Sequence, residues 1–423
     1  MVLKHFSAAG SRIAPFVLVS LILVLASCAR KAADPIGVWQ GTIKNNSGET
    51  VAFTLEVKRD GDKLVGELVN GDERTTSTSG SFENGTLTLR YDFYDAGLVA
   101  TIDGDHLQGT FERQWQKQRL KRELHAMRHA TAKPISKNSG QDISGEWLLA
   151  VGEAPKLSYW RAAFHQQDGK ISGTIIPVSG DWGQMTGEFE NGELRLNRFD
   201  GINCRVFRAK LTPEGKLEGI ADFGLFDPVR KVVAERITEA NKVIVANLPD
   251  PMNHTRMSNP AEPLRFSFPD LNGNLVSSTD ERFKNKVVAV SITGSWCPNC
   301  HEEAPFLQEM FERYGSEGFQ PVALAFEYSG DAARDLEQVK IFAKRLGLKY
   351  PVLLAGSTEE GQIQQKLPQL VGFGAYPTTI FIGRDGLVKR IHAGFEGRAT
   401  GERFTHLKTE LETLIKELLA EKE

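Results

Sequence analysis

Cysteine is scarce in this sequence: there are four cysteines in 423 residues, and only Cys297 and Cys300 stand close together. A structural zinc site needs four ligands, usually two such pairs or one pair with histidines at fixed spacing. The other two cysteines, Cys28 and Cys204, are isolated, and no histidines stand at a recognisable ligand spacing. The pattern argues against a metal site. We expect no metal, and no cofactor beyond a redox-active disulfide between Cys297 and Cys300.

The sequence also lacks an excess of charge of one sign. Its 51 basic and 54 acidic residues nearly balance, which argues against nucleic acid as a partner. The apolar stretch from Ile13 to Ala26 is too short to cross a bilayer. Because Lys4 and Arg12 precede it, the stretch is typical of a secretory signal peptide. We therefore expect an exported protein.

The end of that stretch predicts a lipid anchor. Leu25-Ala26-Ser27-Cys28 resembles the bacterial lipobox, in which the cysteine becomes the lipidated first residue of the mature chain. The expectation is a signal peptide over residues 1–27 and a lipid on Cys28 that holds the protein on the periplasmic side of a bacterial membrane, inner or outer. A plain cleaved signal that happens to precede a cysteine is the alternative.

Residues 36–130 and 142–237 are predicted to be two copies of one all-β unit. Short alternating runs separated by Asp-Gly, Asn-Gly and Glu-Gly turns are typical of an antiparallel meander that closes into a barrel or sandwich. Four matched blocks in the same order predict a duplication. The blocks are Gly37-Val38-Trp39 and Gly145-Glu146-Trp147, Lys63-Leu64-Val65-Gly66 and Lys170-Ile171-Ser172-Gly173, Gly80-Ser81-Phe82-Glu83-Asn84-Gly85 and Gly187-Glu188-Phe189-Glu190-Asn191-Gly192, and His106-Leu107-Gln108-Gly109 and Lys216-Leu217-Glu218-Gly219.

Several residues of this β region are expected to be structural. Trp39 and Trp147 are predicted to fill the two cores, as large aromatic residues near a first strand usually do. Cys204 is expected to be a small buried apolar group. The basic residues of one predicted hairpin are expected in a solvated turn; they are Lys117, Arg119, Lys121 and Arg122.

After the β region the pattern changes twice. Residues 238–261 are proline-rich and polar, which predicts a linker. Residues 262–423 then alternate short apolar runs with helical patterns, which predicts an α/β domain. The fold class expected for the whole chain is therefore multidomain: a duplicated all-β antiparallel region followed by an α/β domain.

The cysteine pair is predicted at a strand-to-helix turn of the α/β domain. Residues 286–292 before it have the composition of a buried parallel strand, and residues 302–314 after it have helical spacing of apolar side chains. Two thiols separated by two residues at a helix start can close a small disulfide ring, and the helix dipole lowers the pKa of the first thiol. This predicts a reactive dithiol.

Residues 262–423 resemble the TlpA-like extracytoplasmic thiol-disulfide oxidoreductases, a thioredoxin-fold family that includes the cytochrome c maturation reductases. The resemblance implies that Cys297 attacks a substrate disulfide and that Cys300 resolves the mixed disulfide. It also implies that Pro377 is a cis-proline facing the dithiol. The matching elements, in order, are Trp296-Cys297-Pro298-Asn299-Cys300, Glu303, Pro305, Glu327 and Tyr376-Pro377-Thr378.

The same resemblance implies roles for two acidic residues. Glu303, three residues after Cys300 on a helix, would accept the proton of the resolving thiol. Ser291 stands where cytoplasmic thioredoxins keep a buried aspartate, so Glu303, assisted by Glu327, would take over its task. The alternatives are an ordinary exposed first-turn acid for Glu303 and a solvated strand-end carboxylate for Glu327.

Three neighbours of the dithiol have supporting parts in this interpretation. Trp296 is expected to pack beside the disulfide and cover it, and Tyr376 to shape substrate access. His301 is expected to be an exposed helical residue.

The function expected first is reduction of protein disulfides by a tethered enzyme that draws electrons from a membrane thiol carrier. A peroxiredoxin-like peroxidase is a second interpretation, because residues 266–273 resemble the opening of the alkyl hydroperoxide reductase group. However, Val290 and Gly294 stand where that family has a proline and a threonine before its reactive cysteine. A third interpretation is a ligand- or partner-binding β-barrel protein with an accessory redox domain.

Overall fold

The computed structural model describes residues 34–128, 141–224, 229–246, 248 and 255–421. The predicted signal peptide and the lipidation residue Cys28 lie outside these residues. Within them, no helix is both long enough and apolar enough to cross a membrane.

Residues 34–128, called the first β unit below, form an antiparallel sheet of nine strands within the described range. The strands are β1 (Gly37–Lys44), β2 (Thr50–Asp60), β3 (Lys63–Asn70), β4 (Glu73–Thr76), β5 (Ser79–Glu83), β6 (Thr86–Tyr91), β7 (Ala96–Asp103), β8 (His106–Trp115) and β9 (Gln118–Arg128), and a short 3-10 helix spans Asp92–Tyr94. The sheet order is β4-β3-β2-β1-β9-β8-β7-β6-β5. This is a meander, as the turn spacing predicts, but the sheet is open rather than a closed barrel.

Residues 141–236, called the second β unit, form a closed barrel. Its strands follow the chain order β10 (Gly145–Glu153), β11 (Lys156–Gln167), β12 (Lys170–Ile176), β13 (Met185–Glu190), β14 (Glu193–Phe199), β15 (Cys204–Leu211), β16 (Leu217–Asp222) and β17 (Arg230–Arg236). The barrel closes because β10 pairs with both β11 and β17. Where the first unit has the extra strand β4, the second unit has a loop over residues 177–184.

The two tryptophans of the matched blocks are fully buried, as predicted. The indole N–H of Trp39 donates to the carbonyl oxygen of Pro35 at 2.9 Å, and that of Trp147 donates to Ile143 at 3.0 Å. Each indole therefore fills a core while its one polar atom is satisfied four residues back along the chain. The two units share this arrangement, while the duplication itself stays a prediction.

The two β units pack against each other. Phe199, Cys204 and Val206 of the second unit belong to the apolar core of the first. Asn70 of the first unit donates to the carbonyl oxygen of Phe199 at 3.0 Å and accepts from its N–H at 3.2 Å. Cys204 is fully buried, and burial raises the pKa of its thiol to about 12, which fits its expected inert role.

The basic hairpin departs in part from its prediction. Lys117 lies in the turn between β8 and β9, as expected. Arg122 is instead buried and donates to the carbonyl oxygen of Gly224 in the second unit at 3.0 Å. A basic run alone does not show which of its members faces a neighbouring unit, so the expectation of a wholly solvated turn is wrong for Arg122.

Residues 255–421, called the redox segment, contain a five-stranded mixed sheet. Its order is β23-β22-β21-β25-β26. The first three strands are parallel to one another, and β25 runs antiparallel to both of its neighbours, β21 and β26. The strands of this sheet are β21 (Val287–Thr293), β22 (Phe319–Glu327), β23 (Val352–Ser357), β25 (Thr378–Ile382) and β26 (Val388–Ala393). Two separate two-stranded sheets pair β18 (Arg256–Met257) with β24 (Leu370–Val371) and β19 (Ser267–Pro269) with β20 (Leu275–Ser277). The helices of the described chain are α1 (Lys242–Ala246), α2 (Pro298–Tyr314), α3 (Ala332–Arg345), α4 (Gln362–Lys366) and α5 (Glu402–Ala420).

This sheet order is that of a thioredoxin fold, in the order of elements that the sequence predicts. Apolar clusters cover both faces of the sheet, which explains why β21 is buried at every position.

The predicted linker over residues 238–261 contains structure at both ends. It begins with the short helix α1 and ends with β18, which pairs with β24 through Met257 and Leu370. Met257 is buried in the core of the redox segment. The redox segment therefore begins by residue 256, before the predicted boundary at 262, because two residues of strand are too short to give a sequence pattern.

Candidate active site at the Cys297–Cys300 disulfide

The two cysteines lie at the turn between β21 and α2 and are joined by a disulfide, with Cα atoms 5.2 Å apart. Cys297 caps the helix: its Sγ accepts from the N–H of Cys300 at 3.2 Å. Pro298 occupies the first helical turn, where no backbone N–H is needed. Cys297 is 4% exposed and Cys300 is 0% exposed. The geometry makes Cys297 the accessible sulfur and Cys300 the sheltered one.

Trp296 and Tyr376 frame the accessible sulfur. The indole N–H of Trp296 donates to the carbonyl oxygen of Phe326 at 2.9 Å, and its ring contacts the ring of Tyr376 with centroids 5.1 Å apart. The carbonyl oxygen of Tyr376 lies 3.6 Å from the Sγ of Cys297. The Tyr376–Pro377 peptide bond is cis. Both aromatic residues, and Pro377, therefore lie where the sequence places them, beside the dithiol.

Glu303 is buried on α2, one turn after Cys300. Its carboxylate accepts from the hydroxyl of Ser291 at 2.6 Å and from the hydroxyl of Thr379 at 2.5 Å. These two residues are paired neighbours on β21 and β25. Burial raises the pKa of Glu303 to about 7, and the two hydroxyls partly offset that effect. The alternative of an exposed first-turn acid is wrong for this residue.

Glu327 is also buried, at the end of β22. It accepts from both the N–H and the hydroxyl of Ser295, each at 2.7 Å. Burial raises its pKa to about 8. The alternative of a solvated carboxylate is therefore wrong, and Glu327 fixes the backbone immediately before the Trp296-Cys297 pair.

His301 is not an exposed helical residue. Its ring contacts the rings of Tyr94 and Phe342, with centroids 5.1 and 4.8 Å away, and its Nε2 lies 2.8 Å from the carbonyl oxygen of Ser295. Burial lowers its pKa to about 4. The expectation was wrong because Tyr94 comes from the first β unit, and a contact so distant in sequence leaves no local pattern.

The second β unit reaches the dithiol through the loop over residues 177–184. The side-chain amide of Asn299 donates to the carbonyl oxygen of Asp181 at 3.3 Å and to that of Phe395 at 2.9 Å. A Cβ on Gly180 would lie 2.6 Å from the backbone carbonyl oxygen of Phe395, and the φ of Gly180 is +113°, so glycine is required for this approach. Asn299, which lies between the two cysteines in the sequence, is thus held by a distant unit.

A cleft of about 980 Å³ opens in front of the disulfide. Cys297, Trp296 and Tyr376 line one side, and Trp160 and Trp182 of the second β unit line the other. No grouping of three or more potential metal ligands occurs among the described residues. The arrangement suits thiol-disulfide exchange, because one sulfur faces a cleft and the second lies behind it near a carboxylate that titrates around neutral pH.

Comparison with known proteins agrees with this geometry for part of the chain. The family described as Redoxin matches residues 258–407. The thiol-disulfide oxidoreductase ResA of Bacillus thuringiensis is 32% identical over 123 residues, which cover 29% of this chain and 62% of that protein. The ResA of Geobacillus thermodenitrificans is 30% identical over 129 residues, covering 30% of this chain and 66% of the relative. The chain therefore spans less than two thirds of these relatives.

Two solved structures are also similar in the same part of the chain. A thioredoxin-family thiol:disulfide interchange protein from Chlorobium tepidum is 23% identical, covers 39% of this chain and 100% of its own, and has a TM-score of 0.30. A secreted thiol-disulfide isomerase from Corynebacterium glutamicum is 18% identical, covers 40% of this chain and 93% of its own, and has a TM-score of 0.30. Because these scores are low, the fold assignment rests on the strand order of the chain itself. The redox segment has a thioredoxin fold, and over this part of the chain it is similar to the Redoxin family and to the ResA thiol-disulfide oxidoreductases.

Proposed function

We propose that this chain is an extracytoplasmic, membrane-tethered thiol-disulfide oxidoreductase that reduces protein disulfides through Cys297 and Cys300. The observation that carries the proposal is the arrangement of the two sulfurs. Cys297 caps a helix and faces a wide cleft, whereas Cys300 is fully buried behind it. A nucleophilic thiolate must reach the substrate, and a resolving thiol need only reach the first sulfur.

The reaction then runs in two exchanges. The thiolate of reduced Cys297 attacks one sulfur of a substrate disulfide, forms a mixed disulfide and releases the other substrate sulfur as a thiolate. Cys300 loses its proton and attacks Cys297, which closes the Cys297–Cys300 disulfide and releases the second substrate thiolate. The substrate gains two electrons and the protein loses two. Glu303, one helical turn after Cys300, accepts the proton that Cys300 gives up.

The enzyme needs a supply of electrons after each turnover, because it ends oxidised. A thiol carrier in the membrane is the donor that fits an exported protein, since the cytoplasmic thiol systems are out of reach. A lipid on Cys28 would hold the redox segment within reach of that donor. The secretory pattern before Cys28 supports this placement.

The two alternative functions have less support. The core of the second β unit is filled by its own side chains, such as Trp147, Phe164 and Phe207, so it leaves little room for a ligand inside the barrel. The relatives that match the redox segment are named thiol-disulfide oxidoreductases, which does not favour a peroxidase.

Cysteine variants test the proposal. Cys297→Ser should lose all disulfide exchange, whereas Cys300→Ser should accumulate mixed disulfides at Cys297, because the resolving thiol is missing. The measurement is trapping of mixed disulfides with an oxidised protein substrate, read by mass spectrometry, with Cys204→Ser as the matched control. Full exchange activity in both Cys297→Ser and Cys300→Ser would overturn the assignment.

A further inference from the structure

The wall of the cleft opposite Cys297 is built by the second β unit and is rich in aromatic rings. Trp182 contacts Phe223 with ring centroids 4.8 Å apart, and Trp160 contacts Phe223 at 5.5 Å. All three residues line the cleft that also contains Cys297. The barrel wall therefore faces any molecule whose disulfide reaches the active site.

Two arginines stand on this aromatic wall. The guanidinium of Arg205 lies 5.0 Å from the ring centroid of Trp182, and that of Arg230 lies 5.1 Å from the ring centroid of Phe223. Both arginines line the cleft. Within the described chain, neither takes part in a salt bridge, and the Nε of Arg205 is buried with no hydrogen-bond partner. A guanidinium stacked on a ring keeps its N–H edge free to bind a carboxylate through two hydrogen bonds.

The carboxylates nearest to Arg205 are already occupied. Both oxygens of Asp200 accept hydrogen bonds, from Arg198 and from Asn203 among others. Both oxygens of Asp181 accept from backbone N–H groups, those of Gly183 and Gly397. The positive charge of Arg205 is therefore not neutralised by direct pairing in the described chain, and a partly buried, unpaired cation is costly until an anion reaches it.

The rim of the same cleft is apolar and exposed. Leu157 is 42% exposed, Ile244 is 42% exposed and Val243 is 69% exposed, and all three line the cleft. Exposed apolar side chains gathered at one site are typical of surfaces that bind other proteins. A cleft of about 980 Å³ is at the upper end of the size of small-molecule sites. Both features favour a polypeptide segment over a small disulfide as the occupant.

We propose that the second β unit forms the specificity wall of the active site and that Arg205 and Arg230 select disulfide-containing polypeptide segments with acidic side chains near the reactive cysteine. The acidic side chains pair with the two guanidinium groups while the apolar rim contacts the flanking residues. This inference rests on the proposed reductase function and adds to it the chemistry of the substrate.

The test uses the reduced full-length protein and two short peptide disulfides that differ only at the residues flanking one cysteine, glutamate in one and glutamine in the other. The second-order rate constant for oxidation of the protein is followed by tryptophan fluorescence. The wild type should prefer the glutamate peptide roughly tenfold at low salt, and the preference should shrink as salt is added. The double variant Arg205→Gln/Arg230→Gln should show no preference.

Three controls make the result decisive. Arg195→Gln removes an arginine of the same barrel that pairs with Glu193 at 3.1 Å outside the cleft, and it should keep the preference. Arg230→Gln alone, at a partly exposed residue, should reduce the preference without risk to folding. Neutral 2-hydroxyethyl disulfide should oxidise the wild type and Arg195→Gln at the same rate, and the glutamate-to-glutamine rate ratio is compared within each variant.

The possible failures are distinct. A wild type that does not react with 2-hydroxyethyl disulfide would refute the reductase function itself. A wild type that reacts but shows no glutamate preference, or a double variant that keeps it, would refute the specificity wall. Glutathione disulfide is the last comparison. If its rate constant equals that of the acidic peptide and falls by the same factor in the double variant, the occupant is a small disulfide and the polypeptide assignment is wrong.

Discussion

At the scale of single residues, Glu303 has the properties of a proton acceptor in the working pH range. Its pKa is raised to about 7 by burial, while hydrogen bonds from Ser291 and Thr379 favour the ionised form. The resolution of a mixed disulfide in wild type should therefore accelerate as pH rises through about 7, because Glu303 must be ionised to take the proton of Cys300. In Glu303→Gln this inflection should disappear and resolution should slow by roughly 10²-fold.

Stopped-flow measurement of resolution in a preformed mixed disulfide checks this expectation. Ser291→Ala is the matched control: it removes one hydrogen bond to the carboxylate, so the inflection should move to higher pH rather than vanish. An inflection near pH 7 that survives in Glu303→Gln would assign the titration to another group.

Glu327 should act on stability instead. Its pKa is raised from 4.5 to about 8 by burial, so in this range the folded protein holds a proton that the unfolded chain releases. The stabilising contribution of the proton is fully present below pH 4.5 and is lost as pH rises through about 8. The free energy of unfolding should fall across this range by up to about 1.4 kcal/mol per pH unit because of this group.

In Glu327→Gln that part of the slope should be missing, because an amide does not titrate while it can still bond to Ser295. Urea unfolding at a series of pH values gives the slope. The exposed Glu317→Gln is the control and should leave it unchanged. Equal slopes in wild type and Glu327→Gln would show that Glu327 is ionised in the folded protein.

At the scale of elements, the two β units begin and turn in the same way. Asn84-Gly85 and Asn191-Gly192 both form turns with positive φ, at 49° and 77° in the first and 52° and 77° in the second. Arg128 stacks on Trp39 at 4.4 Å, and Arg236 stacks on Trp147 at 4.7 Å. These shared details support the predicted duplication without proving it.

Matched substitutions test whether the two tryptophans do the same task. Trp39→Phe and Trp147→Phe each remove an indole N–H and leave a buried carbonyl oxygen without its partner. Each should lower the free energy of unfolding by a similar amount, roughly 1–3 kcal/mol. Trp115→Phe, at a partly buried ring, should cost less. Chemical denaturation of the three variants measures these free energies. A negligible loss of stability in only one of Trp39→Phe and Trp147→Phe would contradict a shared role.

The elements of the redox segment were predictable because their signals are local. The buried run before Cys297 and the helical spacing after it give the strand-to-helix turn without any tertiary information. The contacts of Asn299 with Asp181 and of His301 with Tyr94 were not predictable, because these partners come from the two β units, more than a hundred residues away. The same limit hid the burial of Glu327, since a carboxylate at a strand end gives no sign of what will cover it.

At the scale of the whole molecule, both β units meet the redox segment around the dithiol. The hydroxyl of Tyr328 donates to the carbonyl oxygen of Gln114 at 2.9 Å, and Lys117 pairs with Glu359 at 2.7 Å. The second unit accepts a hydrogen bond from Asn299 through the carbonyl oxygen of Asp181, and it forms the wall of the cleft opposite Cys297. The sequence predicts two β units, a linker and an α/β domain. It does not predict that the β units pack around the active site, because packing between domains leaves no local sequence motif.

The reduction potential of the Cys297–Cys300 pair tests the central claim most directly. The full-length protein is equilibrated with glutathione and dithiothreitol buffers of known potential, and its thiols are counted after alkylation. A reductase should have a potential near the ~ −270 mV of thioredoxin or below it. A value near the ~ −120 mV of strong oxidants would make the protein a disulfide donor and would contradict the account.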